Sequence, residues 1–291
     1  MKFPKSVYPL FILLSLLLVS SGCKRKNEEK EVLKFAFLTD IHLNPKYNGC
    51  YDGLNMAIQS AKEHGAELVI TGGDNAEVDV FKSDTLSARK VLGEFKEIIN
   101  SSSIKINPTM GNHDRFWGIV SKEKPYGEAL YEEIIGPSYY SFEKAGWKFL
   151  ILNTIQTGEK GYFIDSIQMA WIRDELRIAG KEKPLIVSVH VPMMTVYSAS
   201  ARGQLRMDMF NNYNEVRSLF DEYNLKLVLQ GHVHIHEEIL SRGVQYVTGG
   251  AVSASWWEGP YFGTEEGYLL LSLTANDLSW EYIDYGWEAR D

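Results

Sequence analysis

The sequence predicts a layered α/β protein. Short apolar runs rich in Val, Ile, Leu and aromatics alternate with amphipathic runs from Val32 onward. Several apolar runs end directly in a small polar cluster, and the chain closes on two further strand-like segments. With 291 residues, 45% of them hydrophobic and 23% charged, the chain has the composition of a globular protein and the length for a sizeable core.

In chain order, strands are expected at Val32–Thr39, Leu68–Thr71, Ile104–Met110, Lys148–Asn153, Leu185–Val189, Lys226–Leu229 and Val244–Thr248. Helical spacing marks Leu54–His64, Leu86–Asn100, Asp165–Ala179 and Asn212–Tyr223. In the third of these, Ile167, Ala170, Trp171, Asp174 and Ile178 suggest an apolar stripe with polar interruptions. The runs Tyr268–Leu273 and Leu278–Tyr285 read as a closing antiparallel pair. The polar clusters run from Asp40 to His234, which favours one domain over residues 32–291.

Those clusters carry the chemistry. They are Asp40-Ile41-His42, Gly73-Asp74-Asn75, Gly111-Asn112-His113-Asp114, His190, and Gly231-His232-Val233-His234, and they hold five of the seven histidines. Taken singly, any of these histidines suits a hydrogen-bonded structural role. Placed jointly at strand ends, with aspartates between them, they read as one binuclear metal site for phosphate ester hydrolysis. In open α/β sheets ligands bind beyond the carboxyl ends of the strands, so the clusters can converge. Asp40 and His42 stand two apart, as do His232 and His234. Extended backbone would send each pair to one side and turn Ile41 and Val233 into the core. Gly72-Gly73 and Gly111 supply the unhindered backbone of tight turns that present Asp74 and Asn112.

At the N-terminus Lys2 and Lys5 precede the apolar run Leu10–Val19 and then Ser20-Ser21-Gly22-Cys23. The run is too short for a bilayer span of about 20 residues and reads as an export signal. The last four residues resemble the lipobox of bacterial lipoproteins, with Ser20 where leucine is usual. The expectation is a signal peptide over residues 1–22, a lipid anchor on Cys23 in the bacterial cell envelope, and a charged tether over residues 23–31. An ordinary signal peptide cut near Gly22 and an uncleaved anchor are the alternatives. The net charge of −8 becomes more negative once Lys2 and Lys5 are removed, which opposes nonspecific nucleic-acid binding. Two cysteines, Cys23 and Cys50, are too few for a disulfide framework, and Cys50 reads as a buried apolar side chain.

The motifs D-x-H, G-D, G-N-H-D, a lone His and G-H-x-H occur in that order, and on them the chain resembles the calcineurin-like metallophosphoesterases over roughly Leu33 to Tyr285. The resemblance implies a four-layer α/β/β/α sandwich with two mixed β-sheets and the metal site at the carboxyl ends of the strands. It makes Asp40, His42 and His234 ligands of one metal, Asn112, His190 and His232 ligands of the other, and Asp74 the bridge. It makes His113 the catalytic acid, oriented by Glu77 three residues after the bridge, with Asp114 the rival orienter. Purple acid phosphatases carry a tyrosine ligand shortly after the bridging aspartate. Here Asn75, Ala76 and Glu77 follow, so no purple colour is expected.

The chemistry explains the residue types. A phosphate ester repels hydroxide, and a metal pair about 3.5–4 Å apart both neutralises the phosphoryl oxygens and lowers the pKa of bound water toward about 7. Only two carboxylates oppose the cations, so positive charge is left for the phosphate. Imidazole, amide and carboxylate donors suit two ions of Zn, Fe or Mn, with no choice among them. The expected partner is a small phosphorylated substrate, a mono- or diester; a noncatalytic binding protein or a nuclease are the alternatives. Arg115, beside Phe116 and Trp117, is a candidate phosphate contact. Trp257, within Trp256–Phe262, lines a substrate cleft, packs in the core or belongs to a domain lid. His64 stands at a helix C-terminus and His236 at the rim of the last motif.

Overall fold

The computed structural model describes residue 30 and residues 32–118, 127–159, 161–204 and 208–290. The expected leader and Cys23 lie outside the described residues, as does nearly all of the expected tether. Among the described residues no helix is long and apolar enough to cross a membrane.

The chain opens with β1 (Leu33–Leu38), α1 (Cys50–Glu63), β2 (Leu68–Gly72), α2 (Thr85–Ser101) and β3 (Lys105–Thr109), with a 3-10 turn at Asp79–Phe81 before α2. It continues through α3 (Ala129–Ile134), β4 (Tyr140–Lys144), β5 (Trp147–Ile151), the short hairpin of β6 (Gln156–Gly158) and β7 (Gly161–Phe163), and α4 (Ser166–Ala179). It ends with β8 (Leu185–Ser188), α5 (Tyr197–Arg202), α6 (Tyr213–Ser218), β9 (Leu225–Gln230), β10 (Glu237–Ser241), β11 (Val244–Thr248), β12 (Gly267–Leu273) and β13 (Leu278–Asp284).

Two mixed sheets result, one ordered β13-β12-β1-β2-β3 and the other β10-β11-β9-β8-β5-β4. In the first, β1, β2 and β3 run parallel while β12 and β13 form the antiparallel closing pair. The central strands are apolar on both faces because both are covered. Phe35, Phe37, Ile70, Phe149, Ile186, Leu229 and their neighbours fill the space between the sheets. The alternating residues, such as Ala36, Leu38, Leu150 and Val187, pack outward in a cluster that also takes in helix residues. Phe35 and Phe149 meet edge to face across the interior at 5.6 Å between ring centres. Near the carboxyl ends of β3 and β8, Thr109 and Ser188 share a hydrogen bond of 2.8 Å that ties one sheet to the other.

Three expectations need correction. The stripe read on α4 is its outer surface: Ile167 and Ile178 are 70% and 65% exposed, while Gln168, Ile172 and Leu176 face inward. Gln168 sets this roll, since its side chain accepts from Asn153 N and donates to Asn153 O, both at 2.9 Å, which satisfies its amide in the core. The helix expected over Asn212–Tyr223 stops at Ser218. Beyond it Leu219, Phe220 and Asp221 donate to carbonyls only three residues back, a tighter winding that turns Phe220 into the core. The edge strands β4 and β10 were not expected, because a strand at a sheet edge, mostly half-exposed, lacks the continuous apolar run of a central one.

Candidate metal centre

All five polar clusters meet where β1, β2, β3, β8 and β9 end. Asp40 and His42 follow β1, Asp74 follows β2, Asn112 and His113 follow β3, His190 follows β8, and His232 and His234 follow β9. The backbone there is not extended. Asp40, His42, Asp74, His232 and His234 all adopt left-handed conformations, with φ between 50° and 74°. Each such residue costs on the order of 1 kcal/mol or more, and the strain is held by neighbouring bonds. Asp40 N donates to Gly73 O at 3.0 Å, His42 N to Asp74 O at 2.8 Å and Leu43 N to Asn75 O at 3.1 Å. Ile41 and Val233 are buried as expected, but left-handed turns put them there, not a strand's alternation. Glycine is required at two places. A Cβ on Gly111 would stand 2.0 Å from Asp74 N, and one on Gly73, at φ 94°, would meet the His190 ring at 2.4 Å.

The side chains form two adjoining trios, Asp40 with His42 and His234, and Asp74 with His190 and His232, and a third group, His42, Asp74 and His113, lies across them. Asp74 Oδ2 lies 3.1 Å from His190 Nε2 and 3.8 Å from His42 Nε2, between the two. Asn112 Oδ1 is 3.0 Å from His190 Nε2. Asp40 Oδ1 is 3.6 Å from His234 Nε2, while its carboxylate accepts from Thr39 Oγ1 at 2.6 Å and from His232 N at 3.0 Å. The seven residues singled out as ligands are thus gathered at one place.

The arrangement fits cations. His190 Nδ1–H donates to Gly72 O at 2.8 Å and His234 Nδ1–H to Ala254 O at 2.6 Å, which turns each Nε2 lone pair into the cluster. The Nε2 atoms of His42 and His234 approach to 3.0 Å, a hydrogen bond when one of the two carries the proton and a pair of converging ligand atoms when both are bare. Burial holds His232 down to about 3, and the same cause outweighs Asp40 and holds His234 down to about 4, so both are neutral donors. Burial works against charge on His190, but Asp74 beside it prevails and pushes it up to about 9. Burial would raise Asp74, yet His190 and His113 hold it well below the usual carboxylate range.

His113 lies outside the two trios of expected ligands but converges with His42 and Asp74. Its ring Nδ1 lies 3.0 Å from Asp79 Oδ1, and its backbone O accepts from Val78 N and Asp79 N at 2.8 and 3.2 Å. Burial disfavours its charge, but the carboxylates of Asp74 and Asp79 outweigh it and push it up to about 10. Neither expected orienter touches this ring in the bonds seen. Glu77 turns instead to His42, with Oε1 3.3 Å from His42 Nδ1, and is itself held by Asn44 at 2.8 Å and Tyr47 at 3.1 Å. Asp114 is fully buried and accepts from Gly111 N, Asn75 Nδ2 and Ala76 N at 2.8 to 2.9 Å, pinning the loop after β3 to the loop after β2. Burial and the nearby Asp74 raise Asp114 to about 6. The 3-10 turn after Val78 brings Asp79 to the imidazole, and no spacing rule in the sequence announces that turn.

The two substrate contacts read from the sequence also move. Arg115 is buried and donates from Nη1 to Ile155 O at 2.9 Å and to Thr157 Oγ1, with Glu128 3.7 Å from Nη2 and the Trp117 ring beneath it, so it is built into the scaffold, with Nε left without a partner among the described residues. Trp257 packs against Gly53 and Trp287, and its indole N–H donates to Ile41 O at 3.0 Å. Its neighbour Trp256 is the one at the site, 4.3 Å from the His234 ring and 5.4 Å from the His42 ring. A cavity of about 240 Å³ opens over the cluster, with Asp74, His113, His232 and His234 on its floor. His64 and His236 lie away from it, His64 closing α1 and His236 bonded to Thr248 O and Glu238. Cys50 is a buried free thiol.

Two mixed sheets packed face to face under helices, with aspartates and histidines converging at the strand ends, define a metallophosphoesterase, a hydrolase. The chain belongs to the calcineurin-like phosphoesterase family, whose model matches residues 33–236. It is similar to a 3',5'-cyclic-nucleotide phosphodiesterase from Nostoc, 24% identical over 223 residues that cover 71% of this chain and 73% of that protein. Its fold matches a dimetal phosphatase from Danio rerio at a TM-score of 0.64 and 13% identity, covering 87% of this chain and 96% of that one. It also matches GAP50, the anchor in the inner membrane complex of Plasmodium, at a TM-score of 0.60 and 14% identity, covering 88% and 85%. One fold thus serves proteins of different description, and activity has to be argued from the site.

Proposed function

We propose that this protein hydrolyses phosphate mono- or diesters of small alcohols at a binuclear centre, with His113 as the general acid. The observation that carries the reading is the convergence of Asp40, His42 and His234 and of Asp74, His190 and His232, with the Asp74 carboxylate placed between the two trios. Asp40, His42 and His234 would hold one ion, Asn112, His190 and His232 the other, and Asp74 both. Imidazole, amide and carboxylate donors suit Zn, Fe or Mn. When bound, the ions supply positive charge to the phosphoryl oxygens and acidity to water.

The rest is done by the chain. Gly72 and Ala254 orient His190 and His234 through their carbonyls, while the Glu77 carboxylate stands 3.3 Å from His42 Nδ1. Asp79 occupies His113 Nδ1, which leaves Nε2 as the atom that can hand a proton to the departing alkoxide. The Nostoc relative, described as a cyclic-nucleotide phosphodiesterase, supports diesters among the substrates. The net charge of −8 argues against polynucleotides.

The test is turnover of a paired mono- and diester panel by protein of measured metal content. Hydrolysis that disappears on chelation and returns with added Zn, Mn or Fe is expected; a metal-loaded protein inert on every ester would mean that the fold serves binding alone. A narrower test addresses Asp79. Asp79→Asn keeps a side chain of the same size at His113 but removes its charge, so turnover of alkyl esters should fall about 10- to 100-fold, the usual range for an outer partner. The metal content should be unchanged, and nitrophenyl esters should lose less. A uniform loss on both ester types would assign Asp79 a purely structural place.

Export and lipidation at Cys23 complete the proposal. Wild-type protein from its native host should partition into detergent, and Cys23→Ser should accumulate as uncleaved precursor. A soluble wild-type protein cut at another residue would overturn the anchor.

A further inference from the structure

One wall of the cavity over the metal centre is built from α5 and the loop 251–264, two segments that supply none of the expected ligands, although the loop orients His234 through Ala254 O. The loop follows Gly249-Gly250 and carries Ala254, Trp256, Trp257 and Phe262 in left-handed conformations, with φ from 40° to 71°. Trp257 anchors it through its indole bond to Ile41 O, which lays Trp256 over the His234 ring. Strained non-glycine backbone persists only where the surroundings hold it, and it gathers at functional sites. Tyr261, from the same loop, stands edge-on to His234 at 5.7 Å and to Trp256 at 5.9 Å.

The outer end of this wall is an arginine. Arg202, exposed at the end of α5, donates from Nε to Tyr197 Oη at 2.9 Å and from Nη2 to Tyr261 Oη at 3.3 Å, and the two phenols share a bond of 2.7 Å. Its guanidinium also lies over the Tyr197 ring, 5.0 Å from the centre. A guanidinium has five N–H donors, so two bonds to phenols leave donors for a ligand. Among the described residues no carboxylate forms an ion pair with Arg202. Asp208, which borders the same cavity, is bonded to Ser198. The wall therefore runs from the His234 ring past Tyr261, whose hydroxyl accepts from Arg202, to a cation bordering the same cavity. Arg115, by contrast, is buried and bonded to the scaffold at Ile155 O.

We infer that Arg202, fixed by Tyr197 and Tyr261, binds a second anionic group on the alcohol part of the substrate, so that the preferred esters are small, carry a carboxylate or further phosphate, and lay their leaving group along Trp256 and Tyr261. This rests on the hydrolytic reading of the metal centre and narrows its substrate class. A planar fork matches a carboxylate or phosphate in two parallel bonds, which makes arginine suited to this selection.

The experiment uses phenyl phosphate and the ortho, meta and para carboxyphenyl phosphates with metal-loaded protein, together with the matching non-hydrolysable phosphonates in calorimetry. In the wild type, kcat/KM for the best carboxyphenyl isomer should exceed that for phenyl phosphate by about tenfold, as expected of one charge-assisted bond pair. The phosphonate Kd values should show the same ratio. Arg202→Met should bring both ratios close to one and Arg202→Lys should leave an intermediate value, at a melting temperature near that of the wild type. If Arg202→Met fails to fold, Tyr261→Phe, which removes one of the two phenol supports, should lower the ratio partway. A wild-type ratio near one in both measurements, or a ratio that survives Arg202→Met, overturns the inference and leaves Arg202 as a staple between α5 and the loop. If no ester is hydrolysed, the hydrolytic reading fails, and the phosphonate ratio alone decides the place of Arg202.

Discussion

Asp74→Asn should lose bound metal and turnover together. The carboxylate lies 3.1 Å from His190 Nε2 and 3.8 Å from His42 Nε2, so it is the one anionic group within reach of both trios. Asparagine keeps the shape and an oxygen for the 2.8 Å bond from His113 N, which should preserve the loop and the fold. It removes the charge, and its amide hydrogens would face the ring nitrogens that must stay open to cations. Changing an outer partner of a metal site typically costs about 10- to 100-fold in affinity or activity, and loss of a shared ligand should exceed that. Metal content by elemental analysis and turnover by phosphate release are to be read on the same sample, beside a thermal melt. Full occupancy at an undiminished rate would remove Asp74 from its place between the ions.

His113→Ala should separate substrates by how much their leaving groups need a proton. An alkoxide leaves poorly without one, whereas a nitrophenolate leaves readily. The loss on alkyl esters should therefore reach the ~10²–10⁴-fold typical of acid catalysis, with a clearly smaller loss on nitrophenyl esters. Metal content should hold, since His113 is bound through Asp79 and the backbone of Val78 and Asp79. Equal losses on both substrates, with chemistry rate-limiting, would mean that His113 positions the phosphoryl group and protonates nothing.

Much of this molecule was legible in the order of its residues. All nine expected strands and three of the four expected helices fall where period and composition put them, because a central strand covered on both faces needs a continuous apolar run and a helix end needs its free N–H groups met. Asp165, for example, starts α4 by accepting from Gln168 N at 2.8 Å. The residues that converge at the strand ends were readable for a similar reason. The parallel strands of each sheet point their carboxyl ends the same way, so a polar cluster after each of them reaches the same crevice.

What only the tertiary structure decided depends on contacts between segments far apart in the chain. Which face of α4 turns inward was set by the bonds of Gln168 to Asn153, since both faces carry apolar side chains at helical spacing. The left-handed turns at Asp40, His42 and Asp74 exist because the loop after β1 is bonded to the loop after β2. Asp79 reaches His113 although Glu77 has the more familiar spacing, because Glu77 is already held by Asn44 and Tyr47 against His42. Trp256 and Trp257, or Arg115 and Arg202, cannot be told apart by type or by exposure guessed from their neighbours. One of each pair is buried in the scaffold and the other borders the cavity, and that division is made by space filled from the rest of the fold. A sequence specifies which groups are available and their local period, while the direction a side chain takes is settled by whatever it must pack against.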